Sequence, residues 1–134
     1  MAKRRLSALC VALAIAGCQA SSSSSSVSAA QRACATGAAH VEVHLSGTIA
    51  RYLGTRYSQS GRHEGFLVRT RDFAAPLKIE DNVEITGFIP MRTGDSVELQ
   101  GQYECNDGVI HWTHHDPSGR HLSGYVIVNG RRFQ

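Results

Sequence analysis

The chain lacks an apolar run long enough to cross a bilayer, since a membrane-spanning helix needs about 20 apolar residues. Its main apolar stretch, residues 6–16, is too short for a stable span and follows three cationic residues, Lys3, Arg4 and Arg5. A cationic start before a short apolar run is typical of an export signal. The sequence therefore predicts an exported protein that no helix of its own holds in a membrane.

The end of this segment predicts how the mature protein is anchored. Small residues precede a cysteine in Ile15-Ala16-Gly17-Cys18, which resembles the bacterial lipobox. In that motif diacylglycerol alkylates the thiol and the chain is cut before the cysteine. We expect residues 1–17 to be a signal peptide and Cys18 to become the lipid-bearing first residue. The alternative is an ordinary secretory signal with an incidental cysteine.

The segment after Cys18 lacks residues that could build a core. It contains an unbroken run of serines at positions 21–26, and such a segment behaves as a flexible linker. We expect residues 18–33 to form a tether and residues 34–134 to form one domain with a single modest core. Gln19 stands where an aspartate would be a retention signal. This resembles sorting to the outer membrane, so we expect a location on its periplasmic side in the cell envelope.

The mature chain also lacks an excess of charge of either sign. Three of the 14 Lys and Arg residues lie in the predicted signal, so those that remain equal the 11 Asp and Glu residues. A nucleic-acid-binding domain usually carries a basic face, whereas the short clusters Arg69/Arg71 and Arg131/Arg132 fit solvated surface. The balance argues against a nucleic-acid partner. It leaves the membrane, reached through the lipid anchor, and a small ligand or an envelope protein as expected partners.

Cysteines are few, and two of the four are used before the domain begins. Cys10 leaves with the signal and Cys18 takes the lipid, so Cys34 and Cys105 remain. In an oxidising compartment an accessible pair tends to form a disulfide. We therefore expect a Cys34–Cys105 bond, although sequence alone does not show that the two Cα atoms approach each other.

From residue 41 onward the sequence alternates with a period of two. Val41, Val43 and Leu45 alternate with polar residues and Gly47 then interrupts, which predicts one long strand with a bulge or bend. Turn residues separate further alternating segments. We expect strands at about residues 41–53, 64–71, 77–83, 97–103, 109–115, 125–128 and 131–133, a loop at 54–61 and an alanine-rich helix at 28–39.

Five or more strands with a long, bent first strand favour an all-β fold that closes on itself, because closure removes exposed sheet edges. The segment Gly94-Asp95-x-Val97-x-Leu99-x-Gly101 is similar to the fourth strand of many OB-type barrels. We therefore expect a small OB-like closed barrel, with a β-sandwich as the second choice.

Four of the seven histidines lie within residues 111–121. If 109–115 is a strand, Ile110 and Trp112 mark its inward face, and His114 and Asp116 continue that face. The opposite face then carries His111, Thr113 and His115. We expect the following residues to support the site or to lie on the second face: Arg62, His111, Trp112 and His115.

Side chains two apart on one strand face are about 6.6 Å apart and can share an ion, which makes His114 and Asp116 the chelating pair. A turn after Asp116 would return His121 to the same place, and His63 is the best remote ligand. Such nitrogen and carboxylate ligands suit zinc or another borderline divalent metal. The alternative interpretation is structural, since Asp116 before Pro117 is typical of a turn.

The run His111-Trp112-Thr113-His114-His115-Asp116-Pro117, followed by Gly119-Arg120-His121, resembles the signature of a bacterial domain of unknown function, family 3465. Similar residues occur at Arg62-His63-x-x-Phe66, at Gly94-Asp95 and at Gly101-x-Tyr103-Glu104-x-Asn106, so the resemblance covers about residues 43–134. It implies secreted or envelope proteins, and it implies no activity that could be transferred to this chain.

Two positions depart from the family pattern. Cys105 stands where the family has an aromatic residue, which supports a disulfide private to this branch. Asp81 stands where the family has a histidine before Asn82. The second departure argues against a metal site that relies on that histidine.

Two classes of function fit these observations. The first is a non-catalytic envelope binding module that holds a ligand at a barrel mouth. That mouth would be lined by His63, His114, Asp116 and His121. The second is a metal-dependent hydrolase, phosphodiesterase or nuclease-like, with Glu64 or Glu104 as general base. We favour the first, because no nucleophile or acid–base pair stands out and because a fold does not establish a function.

Overall fold

The computed structural model describes residues 26–134 of the 134-residue chain. The predicted signal peptide, the predicted lipidation site Cys18 and most of the predicted tether lie outside the described residues. Within residues 26–134, no helix is long and apolar enough to cross a membrane. Strands make up most of the regular structure, as the alternating pattern predicts.

Seven strands and two short helices form the described part. In chain order they are α1 (Val27–Ala35), β1 (His40–Ser58), β2 (Gly61–Arg69), β3 (Leu77–Asn82), α2 (Val83–Thr86), β4 (Ser96–Glu104), β5 (Val109–His111), β6 (Tyr125–Val128) and β7 (Arg131–Phe133).

Strand β1 is long enough to belong to two parts of the sheet. Its first half pairs with β4, with His40 opposite Glu104 and Thr48 opposite Ser96, and its second half pairs with β2. The register of the β1–β2 pairing shifts beyond Ile49 and again beyond Tyr52. Such bulges sharpen the bend of a strand. The bend expected at Gly47 therefore occurs slightly later in the chain.

Gly47 has a different role, because its backbone lies close to β2. A Cβ atom at this position would collide with the carbonyl oxygen of Arg69 and would lie 2.9 Å from Cγ1 of Val68. Backbone cannot easily give way, so only glycine fits where the two strands meet.

The first five strands close into a ring. Neighbouring strands follow the order β1-β2-β3-β5-β4, and β4 pairs with β1 to complete the circuit. Within the ring β3 and β5 are parallel and the other pairs are antiparallel. The β6–β7 hairpin then pairs with β4. Its turn uses Asn129 and Gly130, both with positive φ, as the Asn-Gly pair predicts.

One hydrophobic core fills the ring, because alternate residues of each strand point inward. The fully buried side chains at its centre include Val43, Phe66, Ile79, Leu99 and Ile110. The predicted alternation of β4 is confirmed, since Val97, Leu99, Gly101 and Tyr103 are all buried. This core fixes the frame on which the polar residues are placed.

Helix α1 packs against this core. Ser26 caps its first turn by accepting a hydrogen bond from the Ala29 amide at 3.3 Å. Val27 and Ala30 are buried in the hydrophobic core. Residues 27–33, which the sequence assigns to the tether, therefore belong to a helix that packs against the core. The prediction of a helix at 28–39 is confirmed, but the helix is shorter and spans Val27–Ala35.

The expected disulfide between Cys34 and Cys105 is present, and their Cα atoms are 5.4 Å apart. It joins the last turn of α1 to the residue that follows β4. The Cys105 amide also donates to the Ala39 carbonyl at 3.0 Å. The backbone hydrogen bond therefore ties the residue before β1 to the end of β4, and the disulfide ties α1 to the same point.

Three differences from the predicted elements affect the candidate site. β1 continues to Ser58, so the loop expected at 54–61 is reduced to a tight turn before Gly61. α2 was not predicted; Asn82 caps it by accepting from the Glu84 amide at 3.0 Å. β5 ends at His111, four residues early, and this change governs the site described next.

Candidate functional site

The backbone turns out of the strand at Trp112. Its φ of 58° lies in the left-handed region, which a bulky side chain rarely adopts. The expected alternation holds for Ile110, which is fully buried, and stops at Trp112. Thr113, expected on the outer face, is fully buried instead. The prediction that one strand face carries Trp112, His114 and Asp116 is therefore wrong, because the strand has already ended.

Thr113 anchors the segment after β5 to the interior of the ring. Its hydroxyl donates to Oδ1 of Asp81 at 2.6 Å, and the hydroxyl of Thr86 donates to Oδ2 of the same carboxylate. Burial raises the pKa of Asp81, and the two threonine hydroxyls offset part of that rise. Asp81, which stands where a histidine was expected from the family resemblance, thus joins β3, α2 and the segment after β5.

Glu64 lies opposite Asp81 on the neighbouring strand β2. Its Oε1 accepts a hydrogen bond from the Ile89 amide at 2.8 Å, and Glu64 is only 1% exposed. Burial raises the pKa of Glu64; the Ile89 amide lowers it and the charge on Asp81 raises it further. Both carboxylates therefore serve as internal hydrogen-bond acceptors at this end of the ring.

His114 and His121 are oriented in the same way. Nδ1 of His114 lies 2.7 Å from the His115 carbonyl oxygen, and Nδ1 of His121 lies 2.8 Å from the Leu122 carbonyl oxygen. Because a carbonyl only accepts, each Nδ1 carries hydrogen, and Nε2 of the neutral ring is left as an acceptor. Burial lowers the pKa of His114, which keeps that ring neutral near neutral pH.

The two imidazoles and the single tryptophan pack together. The ring centroids of His114 and His121 are 5.1 Å apart with the planes at 89°, and Trp112 lies 4.5 Å from His121 and 5.9 Å from His114. Contacts of this length are typical of edge-on and offset aromatic pairs. The three rings therefore hold one another in place.

Asp116 shapes the turn that returns His121 to this cluster. Its Oδ1 accepts from the amide and the hydroxyl of Ser118, both at 2.8 Å, and its Oδ2 accepts from the His121 amide at 2.7 Å. Desolvation raises the pKa of Asp116, but these donors outweigh it and hold the pKa below its usual value. The structural interpretation of Asp116 before Pro117 thus accounts for its hydrogen bonds. Its Oδ2 is still 4.0 Å from Nε2 of His121.

Two grooves meet at Trp112. The first groove, of about 500 Å³, lies between the β1–β2 turn, α2 and the loop of residues 112–124, called the histidine loop here. Its lining includes Gln59, Ser60, Asn82, Glu84, His114 and Asp116. The second groove, of about 570 Å³, lies along β1 and β4. Its lining includes His40, Glu42, Gln102, Glu104 and Leu122. Both grooves are also lined by Trp112, Arg120 and His121.

The remaining predicted site residues lie away from the first groove. His63 is buried in the β1–β2 hairpin, where Nδ1 contacts the Gly61 carbonyl at 3.1 Å, and it lines neither groove. His111 lies 3.8 Å from Glu80 on the outer face of the sheet. Arg62 stacks on Phe88 at 4.7 Å. His115 is exposed. Of the four predicted ligands, the structure thus brings together His114, Asp116 and His121, without His63.

These placements bear on the metal hypothesis. Within residues 26–134, no group of three or more His, Cys, Asp or Glu side chains is arranged to hold a metal ion. His114 and His121 offer two free nitrogens, but a closed protein site for zinc has four ligands and a catalytic one has three. The described residues therefore supply a pair of nitrogen donors, not a complete ligand set.

A comparison with protein families places the whole of this arrangement in one family. The model of the family described as Protein of unknown function (DUF3465) matches residues 9–134, which include all nine described elements and both grooves. The chain belongs to this family. Neither the search of curated proteins nor the search of solved structures returned a match.

In this DUF3465 member, sequence reasoning missed Glu42 as a groove residue. Its Oε2 is buried and has no hydrogen-bond partner among the described residues. Burial raises the pKa of Glu42, against the opposing influence of His121 and His40. An unpaired buried acceptor is costly unless something donates to it. No sequence motif marks Glu42, because Glu42 comes close to His121 only where the loop after β5 returns to β1.

Proposed function

We propose that this protein is a lipid-anchored, non-catalytic binding module of the cell envelope, and that the two grooves around Trp112 hold one polyhydroxylated ligand, a short saccharide. The domain would be an OB-like barrel. The ligand would lie across Trp112, with one part in each groove.

The order of the strands supports the OB-like assignment. A five-stranded ring ordered β1-β2-β3-β5-β4, closed by β1–β4 and with β3 parallel to β5, is the pairing expected of a five-stranded Greek-key barrel. A β-sandwich, the second choice from the sequence, would not need the β1–β4 closure. Oligosaccharides are among the ligands that OB-type barrels bind, which is an analogy of fold and not of this site.

The observation that carries the proposal is the position of Trp112. A strained backbone is often retained where it places a functional side chain, and this one sets an indole between two grooves lined by amides, carboxylates and an arginine. Such planar polar groups bind hydroxyls, while an aromatic ring contacts the apolar face of a sugar. The unpaired Oε2 of Glu42 would accept one hydroxyl.

Three of the carboxylates near the histidines are already engaged, which favours binding over catalysis by these groups. Asp81 accepts from two threonines, Glu64 accepts from Ile89, and Asp116 accepts from the turn that it forms. A metal-dependent hydrolase is the second candidate, and the paired free nitrogens of His114 and His121 favour it. A hydrolase would require a further metal ligand from the substrate or solvent. It would also require a general base, and Glu104 in the second groove is our candidate for that role.

The envelope location rests on the predicted lipidation of Cys18. Detergent-extracted mature protein should have an intact mass that begins at Cys18 and includes acyl chains. An unmodified soluble protein that begins elsewhere would contradict the anchor without affecting the grooves.

Calorimetry with soluble oligomers of N-acetylglucosamine tests the ligand class. We expect saturable heat with the wild-type protein and at least a tenfold weaker affinity for Arg120→Ala, because Arg120 lines both grooves. Arg92→Ala removes the same charge from an exposed turn outside them and should leave the affinity unchanged. Equal effects of the two variants, or no heat with any oligomer, would contradict the proposal.

A further inference from the structure

A third groove lies where the described chain begins, and it has no part in the proposed saccharide site. It has a volume of about 660 Å³. Its lining includes Ser26, His44, Arg69, Thr70, Arg71 and Phe73. We infer that this groove, called the tether-root groove here, docks the domain on the anionic phospholipid headgroups of the membrane that anchors it.

The position of Ser26 limits how far this groove can lie from the anchor. Ser26 lies eight positions after the predicted lipidated residue, Cys18. A chain spans at most about 3.6 Å per residue, so Ser26 can lie no more than about 29 Å from the lipid attachment point. The inference rests on the lipid anchor proposed above, because that anchor keeps this end of the domain near the bilayer.

Strand β2 separates the tether-root groove from the first groove. β2 begins at Gly61, directly after Ser60 of the first groove, and ends at Arg69 of the tether-root groove. Nine residues with a rise of about 3.3 Å each separate the two ends by about 26 Å. Docking through the tether-root groove would therefore turn the Trp112 grooves away from the membrane, where a soluble ligand could reach them.

The charge of the groove suits phosphate. Arg69 and Arg71 are both exposed, and within residues 26–134 neither takes part in an ion pair. Asp72 directly follows Arg71 in sequence and offsets one charge, while His44 is paired with Glu98. Hydroxyl groups of Ser26 and Thr70 add donors of the kind that phosphate oxygens accept. Half-buried Phe73, which also packs against the core, gives the groove an apolar side.

Sedimentation with lipid vesicles tests this inference apart from the anchor. The mature-length chain, residues 18–134, is made with Cys18→Ser so that no lipid is attached, and is mixed at low salt with vesicles that contain phosphatidylglycerol. Each arginine near an anionic surface contributes roughly fivefold in affinity. We expect Arg69→Ala/Arg71→Ala to weaken binding roughly 25-fold, and binding to phosphatidylcholine vesicles to be absent.

The matched control removes two other arginines, Arg131 and Arg132 of β7, with the same change in net charge. It should bind phosphatidylglycerol vesicles within twofold of the parent. Equal losses in both double variants, or no preference for phosphatidylglycerol, would overturn the inference. Displacement by inorganic phosphate beyond that caused by sodium chloride of equal ionic strength would also overturn it, because it would indicate a site for free phosphate. Each of these results leaves the mass test of lipidation and the saccharide test unaffected.

Discussion

Replacing Glu80 with glutamine probes the electrostatics of the outer sheet face. The side chain of Glu80 is only 2% exposed and is surrounded by cations. Oε1 lies 2.9 Å from Nε of Arg56 and 2.6 Å from Nζ of Lys78, and Oε2 lies 3.8 Å from Nδ1 of His111. Glutamine keeps the shape of the side chain and removes its charge. We expect Glu80→Gln to destabilise the protein at neutral pH.

The magnitude follows from the pKa of the carboxyl. Burial by itself would raise it, but the hydrogen bonds from Arg56 and Lys78 prevail and lower the pKa of Glu80 from 4.5 to about 2. Such a shift corresponds to at most about 3 kcal/mol of unfolding free energy. Arg56 and Lys78 are 54% and 41% exposed, so solvent screens the pair. We therefore expect Glu80→Gln to lose about 1–2 kcal/mol.

The sign of the pH dependence is the sharper part of this prediction. Because the folded pKa of Glu80 is depressed, its contribution is present above its unfolded value of 4.5 and is lost as the pH falls through about 2. Its neighbour Asp81 has a raised pKa, so its contribution is present below 3.8 and is lost as the pH rises through the folded value. Relative to wild type, Asp81→Asn should therefore gain stability with rising pH, while Glu80→Gln should lose it.

Urea unfolding of the wild type and both variants between about pH 3 and pH 7 measures these slopes. The two variants change adjacent residues of one strand by one charge each, so each serves as the control for the other. A pH-independent loss in Glu80→Gln, or slopes of the same sign in both variants, would refute the assignment of Glu80 to an ion-paired outer cluster and of Asp81 to the interior.

Three further predictions concern the disulfide and the histidine loop. Reducing the Cys34–Cys105 bond should lower the unfolding free energy by up to about 4 kcal/mol, because the two residues are 71 apart in sequence; denaturation with and without reductant measures this. Gly124→Ala should shift the emission of Trp112, since the new Cβ would meet the Trp112 carbonyl and displace the loop; fluorescence checks it. His114→Ala should cost about 1–3 kcal/mol by removing a buried imidazole and its part-buried hydrogen bond, and thermal unfolding measures it.

Each of these three predictions has a control variant or a result that would contradict it. Two free thiols in protein purified without reductant would contradict the disulfide. Gly65→Ala should change the Trp112 emission little, because its added Cβ would make an ordinary 3.5 Å contact with Leu53. If Gly124→Ala changed the emission equally little, the loop would not need glycine at position 124. His115→Ala changes an exposed residue. If it destabilised the protein as much as His114→Ala, the burial of His114 would be wrong.

The sequence was a good guide to the fold where side chains alternate against a buried face. β4, the β6–β7 hairpin and the turns were predicted because period two and Asn-Gly pairs act locally. The exact length of β1 was not, because the pairing of residues 54–58 with β2 depends on partners distant in sequence. The short helix α2 has one turn and a single capping residue, Asn82, which is too weak a signal to recognise in advance.

Part of the candidate site was predicted correctly, but for the wrong reason. His114, Asp116 and His121 do gather, yet alternation along a strand does not bring them together. A left-handed Trp112 ends the strand, Thr113 turns inward to Asp81, and the Asp116 turn returns His121. Backbone conformation of this kind leaves no periodic trace in sequence. The contribution of Glu42 and Arg120 to the grooves is likewise a product of tertiary packing.

The saccharide site is tested most directly by the emission of Trp112, the only tryptophan of the chain, during titration with oligomers of N-acetylglucosamine in the presence of a metal chelator. We expect a saturable change in the wild type and at least a tenfold weaker affinity in His121→Ala, because the His121 ring packs against Trp112 and lines both grooves. No change in emission, or a change that requires added zinc, would contradict a metal-independent saccharide site at these grooves.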